Sequence, residues 1–162
     1  MEKSFSNHLK EHLKGKVVIL GIGNTLRSDD GVGSILANRL IGKVPFMVWD
    51  AGTGPENYLG KAVKEKPNTI LIIDAVDFGG NPGEIRLLEG DELKTINLFS
   101  THNASLSLTI NYLQSSLQLD IIILAIQPKT VVFGDNLSPE MAQALNKLED
   151  WFLNYEAGKK TG

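Results

Sequence analysis

Apolar residues in this chain fall into two alternating patterns, and the alternation predicts the architecture. Lys16–Gly21 (KVVILG) is a continuous apolar run, as expected of a strand buried on both faces. Gly31–Ile41 follows with Val32, Ile35, Leu36 and Leu40 at helical spacing. Phe46–Asp50 reads as a second short strand, and Pro55–Lys64 as a helix with Pro in its first turn. Thr69–Val76 (TILIIDAV) is a clear buried strand. Glu84–Leu88 follows the turn sequence GGNPG and alternates, which predicts an edge or antiparallel strand. Asn103–Leu117 carries Leu106, Ile110, Leu113 and Leu117 on one stripe. Ile121–Ile126 is another buried strand, and Ser138-Pro139 opens a last helix with Met141, Leu145, Leu148 and Phe152 on one face. The order predicts a single three-layer α/β domain. Its sheet is mainly parallel and twisted, of about five strands, with helices on both faces.

Residues 15–157 make up this domain. Residues 1–14 form a polar N-terminal extension, expected to be weakly ordered as termini commonly are, and residues 158–162 a polar tail. The length of 162 residues suits one domain with one sizeable core. A charged fraction of 22%, a net charge of −3 and no basic stripe argue against a nucleic-acid partner. No apolar run reaches the roughly 18 residues that span a membrane, and the first 15 residues do not resemble a secretory signal. A cytoplasmic monomer is expected. The absence of cysteine excludes thiol nucleophiles and thiolate metal sites.

In folds of this class, ligands bind outside the carboxyl ends of the parallel strands. That rim gathers Asp29 and Asp30 after the first strand, Asp50, Gly52 and Thr53 after the second, Asp74 and Asp77 after the third, His102 before the Asn103 helix, and Gln127 after the last strand. Each has an ordinary structural reading as a helix cap or turn residue, but their coincidence at one edge points to a site. The opening VVILGIGNTLRSDDGVG starts like a dinucleotide fingerprint and then departs from it. Leu26 stands where the third glycine belongs, and the acid pair would repel a pyrophosphate by about 1–4 kcal/mol per close pair. Oxygen donors plus one imidazole suit a divalent cation instead. His8-Leu9-Lys10-Glu11-His12 also matches H-x-x-E-H, yet it lies in the terminal extension and no third ligand is evident from the sequence. No G-x-S-x-G elbow exists, and Asp50-Ala51-Gly52-Thr53 is a single, partial likeness to an aspartic-protease motif in the wrong fold class.

Five separated segments, GIGNTLRSDDGVG, WDAGTGPEN, IIDAVDFGGNPGEIR, STHNASL and AIQPKTVVFGDNLSP, resemble in that order the motifs of the hydrogenase maturation endopeptidases. The likeness covers about residues 16–153. It is closest to the branch serving hydrogen-evolving, formate-hydrogenlyase-type enzymes. It implies an aspartyl-type endopeptidase of unusual class that removes the C-terminal tail of the nickel–iron hydrogenase large-subunit precursor after nickel insertion. By the same resemblance, Asp30, Asp74 and His102 contact the metal and carry catalysis, with nickel supplied by the substrate and no tightly bound metal in the resting enzyme. Asp50, Gly52, Thr53 and Gln127 are candidates for holding the substrate. The competing expectation is a nickel-loading checkpoint protein without peptidase activity.

Overall fold

The computed structural model describes residues 1–95 and 103–156. Five strands form one sheet: β1 (Val17–Ile22), β2 (Met47–Gly52), β3 (Thr69–Ala75), β4 (Ile85–Leu88) and β5 (Asp120–Ile126). Their order is β2-β1-β3-β5-β4. All neighbours are parallel except β4, which runs antiparallel to β5 at the edge. The expected mainly parallel sheet and the antiparallel edge strand are both present. β1 and β3 are buried at every position and β5 at all but Asp120, because helices cover both faces.

The period of two in each strand decides which residue meets which helix. Ile19, Leu71, Ile73, Ile122 and Leu124 face one core, shared with α1 (Lys3–His12), α2 (Val32–Leu40) and α5 (Pro139–Leu153). Val18, Leu20, Ile70, Ile72, Ile121 and Ile123 face the other, shared with α3 (Leu59–Glu65) and α4 (Asn103–Ser116). The predicted helix over Pro55–Lys64 begins as a short 3₁₀ turn at Pro55–Tyr58 before α3.

The N-terminal segment departs from expectation. It is not a loose extension: α1 is a ten-residue helix. Phe5, Leu9 and Leu13 recur at every fourth position, and Leu9 and Leu13 are buried in the first core. Trp151 Nε1 donates a hydrogen bond of 2.6 Å to Ser6 Oγ, fastening α1 to α5. The polar majority of KSFSNHLKEH hides this narrow stripe in the sequence.

Candidate active site

The site is built where β1 ends and α2 begins. Gly21 and Gly33 allow a close approach: a Cβ on Gly33 would lie 2.2 Å from the carbonyl oxygens of both Ile22 and Ile73, and one on Gly21 would lie 2.2 Å from Gly33 O. The start of α2 therefore sits directly on the C-terminal ends of β1 and β3. The intervening loop closes on itself through Asn24 N–H to Asp30 O (3.1 Å), Arg27 N–H to Asn24 O (3.0 Å) and Asp30 N–H to Arg27 O (3.1 Å). Asn24 Oδ1 also accepts from Leu26 N–H at 3.0 Å. The result is a 3₁₀ turn at Ser28–Gly31 packed against the end of β3. The Gly-rich turn thus presents acids, and Asp29 and Asp30 are both buried.

The first acid of the pair has a structural task. Asp29 is fully enclosed and accepts four hydrogen bonds from the segment that follows β5: Lys129 N–H (2.8 Å), Thr130 N–H (3.4 Å), Ser138 N–H (2.7 Å) and Ser138 Oγ–H (2.7 Å). Ser138 Oγ in turn accepts from Met141 N–H and so caps α5. Asp29 is a clasp between the site loop and α5. Ser28 stands in the left-handed region at φ 53°, a conformation costing a non-glycine residue about 1–3 kcal/mol. It is held there by Ser28 N–H to Gly134 O (2.7 Å) and Ser28 Oγ–H to Val132 O (2.8 Å). The clasp and the strained residue place Asp30, the next in line, at the head of α2.

Asp74 is the sixth residue of β3, opposite Ala125 of β5, and is fully buried. By strand alternation its side chain belongs to the face covered by α3 and α4. The 28–31 turn packs against β3, the strand that carries Asp74. Asp30 and Asp74 both lie inside the protein and not on its open surface. His102, with Ser100 and Thr101, lies outside the described residues, and α4 begins at the next residue, Asn103.

The remaining candidates divide. Asp50 is committed within the protein: Oδ1 accepts from Ser34 Oγ–H (2.8 Å) and Gly52 N–H (3.0 Å), and Oδ2 from Asn38 Nδ2–H (2.5 Å). Gln127 is buried; its Oε1 accepts from Phe78 N–H (2.9 Å) and Gly80 N–H (3.1 Å), and its Nε2 donates to Asp77 Oδ1 (3.0 Å). These bonds from Gln127, then Gly79 N–H, hold the Asp77 carboxyl below the usual carboxylate range. Gly52, at φ 54°, and the exposed Thr53 turn the chain at the end of β2. One feature was not legible beforehand. Leu26, Val132 and Phe133 are 58%, 64% and 80% exposed, on two segments joined by Gly134 N–H to Leu26 O (2.8 Å) and by the Ser28 bonds. They form an apolar margin beside the Asp30 loop.

With that geometry in place, similarity to known proteins can be weighed. A family model described as hydrogenase maturation protease matches residues 32–154. The chain belongs to the hydrogenase maturation protease family. It is 34% identical over 140 residues to the hydrogenase 3 maturation protease of Escherichia coli K12, covering 83% of this chain and 89% of that one. Its fold superimposes on the [NiFe] hydrogenase maturation protease HycI of Thermococcus kodakarensis with a TM-score of 0.79 at 30% identity, over 91% and 99% of the two chains. The solution structure of the Escherichia coli endopeptidase HycI gives 0.74 at 30% identity, over 89% and 94%. The α/β fold of this chain is thus shared with these solved proteases. No helix among the described residues of this protease is long and apolar enough to cross a membrane.

Proposed function

We propose that this protease is the endopeptidase that trims the C-terminal tail from a nickel–iron hydrogenase large-subunit precursor once nickel is in place. The relatives support the class of substrate: one is named for hydrogenase 3 and another for a [NiFe] hydrogenase. The observation that carries the reading is the construction around Asp30. Packing glycines, a strained Ser28 and the Asp29 clasp fix the turn that contains Asp30 against β3, the strand that carries Asp74, which supports the reading. Oxygen donors fixed in this way offer ligands to a cation and none to a phosphate.

Asp30, Asp74 and His102 meet the nickel ion that the substrate brings. That ion, a Lewis acid, can polarise the scissile carbonyl or lower the pKa of an attacking water. Each donor comes from a different segment, at sequence separations of 44 and 28 residues (30 to 74, then 74 to 102). The protease alone holds nickel weakly, and enzyme and precursor bind it jointly. Gly52 and Thr53 line the path of the tail. Asp50 and Gln127 keep their loops in shape, and the margin of Leu26, Val132 and Phe133 receives the body of the precursor.

The test is to incubate chelator-treated protease with nickel-loaded precursor and, separately, with nickel-free precursor plus free zinc. Cleavage in the first alone supports the proposal. Cleavage in the second refutes nickel recognition, and nickel-dependent complex formation without cleavage would establish the checkpoint reading in its place.

A further inference from the structure

The N-terminal helix carries a cluster that the peptidase reading does not use. His8 and His12 stand one turn apart on α1, with ring centroids 5.0 Å apart. Glu89, immediately after β4, reaches them both: its Oε2 lies 3.4 Å from His8 Nε2 and directly against His12 Nε2. One donor atom from each residue lies within 4.8 Å of the others. Two imidazoles at i and i+4 on a helix, with a carboxylate from elsewhere, form a three-ligand set that leaves a fourth position for water.

We infer that His8, His12 and Glu89 bind a divalent borderline cation, zinc being the probe of choice, and that this ion staples α1 to the end of β4. Three observations carry this. The ligands are prearranged by elements fixed independently of any ion: α1 by the burial of Leu9 and Leu13 and the Ser6–Trp151 bond, Glu89 by the β4–β5 pairing that ends one residue before it. The spacing approaches a cation's requirement: bonds of about 2.0–2.2 Å at tetrahedral angles put donors about 3.4 Å apart, which is the separation of His8 Nε2 from Glu89 Oε2, and His12 Nε2 need only draw back from that oxygen. Third, Glu89 Oε2 is shielded from water while two imidazole nitrogens crowd it. Each imidazole Nε2 can donate a proton to that oxygen, and a cation in place of those protons would take one lone pair from each of the three residues. Half-exposed His8 leaves the open side to solvent. This site stands apart from the Asp30–Asp74 rim, on different elements, and does not depend on how the tail is cleaved.

The experiment uses the untagged full chain, stripped with a chelator and titrated with zinc by calorimetry. Cobalt then replaces zinc, so that its visible spectrum reports the coordination. One equivalent should bind, and saturating zinc should raise the thermal midpoint by about 5–10 °C. Glu89→Gln and His12→Ala should each weaken binding at least about tenfold and abolish the shift, whereas Asp74→Asn should leave both intact. Glu89 follows β4 with its side chain 38% exposed, so Glu89→Gln keeps the test decisive even where His12→Ala disturbs the helix. Absence of stoichiometric binding at 100-fold molar excess of zinc, or binding lost in Asp74→Asn and kept in Glu89→Gln, would overturn the inference.

Discussion

At the residue scale, Asp29 and Asp30 are adjacent acids to which the proposed function gives opposite duties. Asp29 has both oxygens committed to Lys129, Thr130 and Ser138. Removing it strands buried N–H donors, and hydrogen bonds to a charged group contribute about 1.5–3 kcal/mol each. Asp29→Ala is expected to destabilise by about 3 kcal/mol or more, read from the denaturant midpoint, and to lose activity in step with folding. Asp30→Asn should abolish processing while shifting that midpoint by less than about 1 kcal/mol, since shape and volume are kept. Equal stability losses in the two variants would remove the distinction. Sequence could not separate the pair, because the partner that settles Asp29, Ser138, lies 109 positions away. The resemblance chose Asp30 where spacing alone left both open.

At the scale of elements, loops decide what strands only place. Gln127 follows β5 and bonds Phe78, Gly80 and Asp77 after β3, so the segments leaving two strand ends are tied together. The Asp77 carboxyl is held below the ordinary value of about 3.9. A depressed folded-state pKa stabilises the fold above the unfolded value, and that stabilisation disappears as pH falls through the folded one. Carboxyl-carbon NMR should find an Asp77 midpoint below 3.9, moved upward in Gln127→Ala; an unmoved midpoint would contradict this. The neighbouring 130–134 segment presents Phe133 at 80% exposure. Phe133→Ser is therefore expected to leave the thermal midpoint within about 2 °C and to raise KM for the precursor several-fold with kcat little changed. An unaltered KM would mean that the apolar margin does not receive the precursor. β1, β3 and β5 were legible because burial on both faces makes them continuous apolar runs. This margin was not, since an exposed Phe in a loop has no periodicity to betray it.

At the scale of the whole molecule, three helices among the described residues seal one face of the sheet, and the first of them is the one the sequence concealed. Phe5, Leu9 and Leu13 supply a stripe only one residue wide per turn, so composition makes residues 1–14 look like a polar tail while packing makes them core. A fully buried Leu contributes about 1.5–3 kcal/mol. Two such residues, with Phe5 partly buried and the Ser6–Trp151 bond, dock the helix on the core, and with its own hydrogen bonds the helix is expected to leave a net stabilisation of about 3 kcal/mol. For a chain of this size each kcal/mol moves the midpoint by about 2–4 °C. Removing residues 2–14 should therefore lower the midpoint by about 10 °C, and Leu9→Ala alone should cost about 2–5 kcal/mol. Neither change touches Asp30 or Asp74, so processing of nickel-loaded precursor should persist below the new midpoint. The same truncation should also erase any zinc-induced rise in stability, because two of the three proposed ligands leave with it. A midpoint unchanged by truncation would show that α1 contributes nothing to the fold. Processing lost in a truncated but folded chain would instead bring His8 and His12 into the work of the protease.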